Sequence, residues 1–367
     1  QAVATPVTDG LIAHNNNVNS DDKALVYDSF VTMVLKEVQE KTGLDPYNDG
    51  LTIETTIDSK AQQRLYDIVN TNDYIQYVND KIQNAVVMLD TKTGAVRAVN
   101  GGRKQTTLLG YNRATDNTRS TGSTIKPVID YGPAIEHLNY STGQTIMDQR
   151  TTYSNGVELN NWDFSHKGAM TLRTALVYSR NTTALQTFKA VGETNIKSFL
   201  NNLDIQIKND GQDYLVESNS IGADISPIKM AAAYATFGNY GTYSKPYTVR
   251  KVTTRDGQVT EFKPEQKQAM KDSTAYMITD VLKDSFKYGF ATQATIPGLP
   301  TAAKTGSSNY TVEQKRAMGA SDYEDIIPDS WFIGYSTDYT ISAWTGYDNP
   351  YEQGGGVDTT EQEYSRM

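Results

Sequence analysis

Two short apolar runs, Ala85-Val86-Val87-Met88-Leu89 and Ala95-Val96-Arg97-Ala98-Val99, flank the turn residues Asp90-Thr91-Lys92-Thr93-Gly94. Strand, Gly-bearing turn and strand make a β-hairpin pattern. Strands are expected again near the other end of the chain, over residues 331–335 and 339–344. Between these ends, residues 171–186, 227–237 and 273–286 read as helices. Asp256-Gly257 marks a further hairpin, between residues 249–252 and 259–262. Hairpins at both ends enclosing a helical middle constrain the chain to an α+β domain on a mainly antiparallel sheet. No fixed-period repeat is visible.

The texture ahead of the first hairpin is different. Residues 1–22 are rich in Asn, Asp, Thr and Val without helical period, and read as loop or short strand. From Ala24, apolar residues Leu25, Val26, Phe30, Met33, Val34 and Val38 recur at three-to-four spacing, which predicts a helix stopped by Gly43. Residues 51–57 look like a strand, and Asp58 is placed to cap a second helix carrying Ala61, Leu65, Ile68 and Val69. A boundary near residues 70–82 is therefore expected. It separates a linker or pedestal region, 1–75, from a main domain, 76–367. At 367 residues the chain is long enough for one large domain plus a small appendage, with a core that needs no staples. It opens on Gln1 with no signal-like segment, so any membrane anchor or upstream domain would lie outside it. No run approaches the ~18 apolar residues of a membrane span.

Composition removes several kinds of chemistry. There is no Cys, so thiolate metal sites, disulfides and cysteine nucleophiles are excluded. A net charge of −9 leaves no basic footprint for nucleic acid. His14, His137 and His166 lie far apart, with no metal-ligand spacing and little prospect of a Ser–His–Asp relay. The P-loop, G-x-G-x-x-G and G-x-S-x-G signatures are missing. A nucleophilic enzyme built from this sequence needs a base other than His, and Lys is the available one.

Ser-x-x-Lys occurs at Ser20–Lys23, Ser123–Lys126 and Ser226–Lys229, and Lys-Thr-Gly begins at Lys41, Lys92 and Lys304. Most copies have ordinary structural explanations. Lys41-Thr42-Gly43 is a helix end, Lys92-Thr93-Gly94 is the hairpin turn, and Ser226-Pro227 is a helix cap followed by a first-turn proline. Ser20–Lys23 sits in a polar segment. The copies that remain stand in the order Ser123-Thr124-Ile125-Lys126, Ser179-Arg180-Asn181 and Lys304-Thr305-Gly306-Ser307. Pro127 is tolerated only near a helix start, which puts Ser123 at the N-terminal end of a helix with Lys126 on the same face.

That ordered set resembles the three-motif signature of the penicillin-recognising serine acyl-transferases, known for β-lactamases and penicillin-binding proteins. The flanks narrow the likeness. Gly122 and Pro127 around the first motif, Gly168-Ala169-Met170-Thr171-Leu172-Arg173 before the second, Ser308-Asn309 after the third, Trp331-Phe332-Ile333-Gly334-Tyr335 and Trp344-Thr345-Gly346-Tyr347 are similar to the transpeptidase domain of class A, bifunctional penicillin-binding proteins, most of all the streptococcal type 1a group. The likeness runs from about Leu51 to Thr345. Ile125 stands where Met is more frequent, and Arg180 stands where the general motif has Asp.

The resemblance implies helices on both faces of the sheet, no cofactor, and a reaction through a serine acyl-enzyme. In it, Ser123 is the nucleophile and Lys126 its base. At an ordinary pKa of ~10.4 only about one Lys in 2,500 is neutral at pH 7, so roughly 4 kcal/mol of bias must come from burial and a neighbouring cation. Lys304 is the candidate cation. Asn181 would hold Lys126 and the substrate amide, and Ser179 would relay a proton to the leaving amine. Backbone N–H groups of Ser123 and Ser307 would form the oxyanion hole. Lys304, Thr305 and Ser307 suit a terminal carboxylate, and Gly306 lets a ligand backbone come close.

The implied partners are peptidoglycan stem peptides, as D-Ala-D-Ala donor and amine acceptor, together with β-lactam antibiotics. The implied location is the extracellular face of the bacterial cytoplasmic membrane, and the implied activity is D,D-transpeptidation. A D,D-carboxypeptidase, a β-lactamase and a non-catalytic β-lactam sensor share the motifs. The β-lactamase reading lacks a Glu-x-x-Leu-Asn stretch after Ser179, since Glu193 and Glu217 have other surroundings.

Overall fold

The computed structural model describes residues 18–367. Helix α1 (Val18–Thr42) leads through β1 (Thr52–Thr55) and α2 (Ser59–Asn70) to the hairpin strands β2 (Gln83–Asp90) and β3 (Val96–Asn100). The middle of the chain holds α3 (Gly132–Leu138), α4 (Leu172–Val177), α5 (Asn181–Val191), α6 (Pro227–Gly238), the strands β4 (Val249–Thr253) and β5 (Val259–Glu261), and α7 (Asp272–Lys283). It closes with β6 (Ala302–Ser307), β7 (Asp329–Tyr335) and β8 (Tyr339–Gly346).

The two terminal hairpin signals meet in one sheet. Its strand order is β6-β7-β8-β2-β3, and every neighbouring pair is antiparallel. Ala85, Val87 and Leu89 on β2 and Trp331 and Ile333 on β7 are buried on the side covered by α6. The other side carries Val86, Met88, Phe332 and Ile341, which with Leu65 and Ile68 of α2 line an apolar cavity of about 730 Å³. The expected α+β architecture, with helices on both faces, is what forms.

Local sequence explains the element ends. Asp58 Oδ1 accepts hydrogen bonds from the backbone N–H groups of Lys60 and Ala61, each at 3.0 Å, and so caps α2. Gly43, at φ +72°, ends α1 as expected. The Asp256-Gly257 turn joins β4 to β5, and β4 also pairs with β1. Phe30, Val34, Val38 and Ile53 belong to the same buried cluster as β2, β3 and α6, so packing runs through the boundary expected near residue 75.

Three expectations need correction. Residues 18–22 are helical and extend α1 rather than forming loop, while 1–17 lie outside the described residues. Residues 273–286 end in a 3₁₀ turn (Asp284–Phe286) after α7. The single helix over 171–186 is instead two, α4 and α5, broken at Ser179, whose φ is +54°. Apolar spacing runs on through the break and cannot register one residue turned into the left-handed region.

Replacing Asp58 with Ala is expected to remove the α2 cap and cost about 1 kcal/mol of stability in denaturant unfolding. An unchanged midpoint would show that the cap contributes nothing.

Candidate active site

The Ser123 segment is not a regular α-helix. Gly122–Ile125 forms a 3₁₀ turn, Lys126 follows, and Pro127–Tyr131 is π-helical before α3 begins. Pro127 thus stands at a helix start, as its missing N–H requires. The turn is pinned from three sides. Trp331 Nε1 donates to Ser120 O at 2.9 Å, Tyr234 Oη donates to Thr124 O at 2.7 Å, and Thr121 N–H donates to Ala223 O at 3.0 Å.

Strand β6 is an edge of the sheet, and its backbone lies against this turn. A Cβ on Gly306 would meet Thr121 O at 2.5 Å and Thr124 N at 2.8 Å, and one on Gly122 would meet Ser307 O at 2.2 Å. Two missing side chains therefore let the first and third motifs touch backbone to backbone. Gly122 also has φ +50°, a conformation that side chains disfavour.

Four of the predicted residues, Lys126, Ser179, Asn181 and Lys304, form a tight, largely buried cluster. Lys126 Nζ donates to Ser179 O at 2.8 Å, to Asn181 Oδ1 at 2.7 Å and to Ser179 Oγ at 3.3 Å. Lys304 Nζ donates to the same Ser179 Oγ at 2.9 Å and to Thr305 O at 3.0 Å. The left-handed φ of Ser179 turns its hydroxyl between the two amines. Ser123 is half-buried, and among the described residues no hydrogen bond joins its Oγ to Lys126. Thr305 and Gly306 are buried on β6, and Ser307 is exposed at its end.

The electrostatics follow from burial. Lys126 and Lys304 are 0% and 2% exposed. Burial holds Lys126 well below the ordinary lysine range, the charges of Lys304 and Arg180 push the same way, and Asp130 opposes them. Burial, helped by Arg366, brings Lys304 down to about 7. A neutral Lys126 has two N–H bonds, which suit Ser179 O and Asn181 Oδ1, the two nearer acceptors. Its lone pair is then left to take a proton.

Sequence reasoning missed several contributors. Asp130, one turn after Lys126, is fully buried, and neither carboxyl oxygen has a hydrogen-bond partner among the described residues. Burial drives it well above the usual carboxylate range against the pull of Lys126. Asn160 O accepts from Asn181 Nδ2 at 2.8 Å, and Asn161 Oδ1 accepts from Asn181 N–H at 2.7 Å. These residues belong to no motif, and the polar cluster Asn160-Asn161-Trp162-Asp163 was their only trace in the sequence.

Geometry and comparison agree. Residues 84–361 match the family model described as penicillin binding protein transpeptidase domain. The chain is 42% identical over 326 residues to penicillin-binding protein 1A/1B of Bacillus subtilis, covering 87% of this chain and 35% of that protein. It is 38% identical over 359 residues to penicillin-binding protein 1A of Streptococcus oralis, covering 95% of this chain and 55% of that one. The chain thus spans only part of the length of these curated relatives. Its fold is that of the solved penicillin-binding protein PonA1 from Mycobacterium tuberculosis, with a TM-score of 0.76, 22% identity and coverage of 91% of this chain and 88% of that one. With three distant motifs gathered around one buried serine hydroxyl, and a family match spanning both terminal hairpins, the chain belongs to the penicillin-binding protein transpeptidase domain family.

Proposed function

We propose that the chain is a D,D-transpeptidase that cross-links peptidoglycan stem peptides through an acyl-enzyme on Ser123. The observation that carries this reading is the buried Lys126 amine, held by Ser179 and Asn181 one turn after Ser123 and beside the Lys304 cation. In a chain of this family, that is an amine kept ready to accept a proton from a serine.

In the proposed reaction the Ser123 Oγ attacks the carbonyl carbon of the D-Ala-D-Ala bond while Lys126 Nζ takes its proton. The Ser123 N–H, in a first helical turn without an intrahelical partner, and the Ser307 N–H stabilise the oxyanion. Ser179 Oγ passes a proton, replaced from Lys126, to the leaving amine, and D-Ala departs. An amine of a second stem then attacks the ester, its proton returns through Lys126, and Ser123 is released. Lys304, with the Thr305 and Ser307 hydroxyls, holds the donor's terminal carboxylate, and Asn181 takes its amide. β-Lactams acylate Ser123 in place of the stem and leave slowly.

The reading assigns residues 76–367 to the transpeptidase domain and 1–75 to the region leading into it. It assigns the work to the extracellular face of the cytoplasmic membrane, where peptidoglycan lies. No helix among the described residues is long and apolar enough to cross a membrane.

Labelled penicillin is expected to add one adduct on Ser123 by intact mass, and Ser123→Ala is expected to abolish it with little change in the unfolding midpoint. Persistent labelling would remove Ser123 as the nucleophile.

The acylation rate at low substrate, which reports the free enzyme, is expected to follow a bell. It rises as Lys126 loses its proton, and falls as pH climbs through about 7 and Lys304 loses the charge that holds the carboxylate. A rate still climbing at high pH would deny Lys304 that role.

Gly306→Ala inserts a methyl group against backbone atoms of Thr121 and Thr124. Displacing β6 from the Ser123 turn is expected to slow acylation on the order of a hundredfold, and wild-type kinetics would show that the close approach is dispensable.

A further inference from the structure

Arg180 stands inside the second motif where an acid is more general, and the acyl-transfer scheme gives it no part. We propose that Arg180 is a positioning residue for this reaction: its buried guanidinium clamps the 160–165 segment onto the Ser179 turn, and that segment orients the Asn181 amide which holds Lys126. The inference rests on the transpeptidase reading and deepens it.

The Arg180 side chain is 2% exposed. Its Nε donates to Asp148 Oδ2 at 2.9 Å, its Nη1 donates to Asp163 Oδ1 at 2.9 Å, and its Nη2 donates to the carbonyl of Ser165. Asp148 is the hub. It also accepts from Thr182 Oγ1 at 2.6 Å, Asn161 Nδ2 at 2.7 Å and the Lys167 N–H at 2.9 Å. Asp148 and Gly168 face each other at the end of a short antiparallel ribbon, so the chain between them is a loop closed at its base by strand pairing and gripped inside by Arg180.

What the loop delivers is the orientation of one amide. Asn160 O accepts from Asn181 Nδ2 at 2.8 Å, so Asn181 Oδ1 must face the other way, and there it meets Lys126 Nζ at 2.7 Å. Asn161 Oδ1 receives the N–H groups of both Asn181 and Thr182, fixing the first turn of α5. Trp162 Nε1 donates to Tyr178 O at 3.1 Å and ties the segment to the residue before Ser179. Every one of these contacts depends on the loop lying where Arg180, Asp148 and Asp163 hold it. Lysine offers a single charged centre and cannot reproduce the three-way fork.

A structural role alone would lower stability and leave the proton chemistry of Lys126 unmoved, and charge separates the two cases. The charged groups acting on Lys126 are Lys304 from β6, Asp130 from its own helical segment and Arg180 from the second motif, and those on Arg180 are Asp148 and Asp163. The Arg180 cation favours the neutral amine. Removing it takes that push away, so the acid limb of acylation moves to higher pH.

The test is the saturating rate of acylation by labelled penicillin, measured against pH, for wild type, Arg180→Lys, Arg180→Met and Asp163→Asn, each checked for its unfolding midpoint. Arg180→Lys, which keeps the charge and loses the fork, is expected to be slower by roughly ten- to a hundredfold with the acid limb in place. Arg180→Met is expected to be slower still, with that limb at higher pH. Asp163→Asn cuts one arm at the partly exposed end and is expected to give an intermediate rate with a near-native midpoint, so it decides the matter if the Arg180 variants do not fold. The inference is overturned if folded Arg180→Lys or Asp163→Asn acylates at the wild-type rate, or if the loss lies only in affinity. A wild type that takes no label overturns the transpeptidase reading, and this inference with it; a wild type that labels beside unaffected variants overturns this inference alone.

Discussion

Two lysine amines meet at one buried serine hydroxyl, and much of the surrounding structure exists to make that tolerable. A cation taken out of water is costly, and two cations sharing a site are worse, so the cluster favours at least one uncharged amine. Lys126 is the one surrounded by unfavourable charge, with Lys304 and Arg180 both near it. Asp130 does not undo this, because a fully buried carboxyl without a hydrogen-bond donor among the described residues favours its own neutral form. The site thus favours a neutral amine by refusing to solvate a charge.

The fold supplies that environment by bringing distant segments of the chain together. The all-antiparallel sheet presents β6 as an edge, and an edge strand keeps outward backbone groups free for a ligand or a neighbouring turn. Gly122 and Gly306 bring the Ser123 turn onto that edge. Trp331 and Trp344, opposite one another in register and both fully buried, anchor the next two strands. Their indole N–H groups bond Ser120 O and Asp329 Oδ1, so the strand beside β6 and the Ser123 turn are fixed by one frame.

Much of this was legible in the sequence where chemistry and local pattern coincide. The hairpins, the Asp58 cap, the stop at Gly43 and the proline at the start of the Ser123 helix are local rules, and local rules survive without knowledge of the fold. Lys304 as the candidate cation beside Lys126 came through the likeness of the three ordered motifs, not through a local rule. The break at Ser179 was not legible, because its left-handed backbone is imposed by tertiary contacts with Lys126 and Lys304 and leaves no mark on hydrophobic spacing. Asp148, Asn160 and Asn161 were hidden for a related reason. They serve through backbone carbonyls and shared acceptors, which no residue pattern encodes.

The positive φ of Ser179 sets stability against chemistry at a single residue. Glycine enters that region at no steric cost, so in the folded state it would relax the backbone there, whereas any residue with a Cβ sits under some conformational tension. Glycine, however, has no hydroxyl to place between the amines. On the proposed acyl-transfer scheme this position is therefore closed to such a change, and robustness has to be gained elsewhere in the domain.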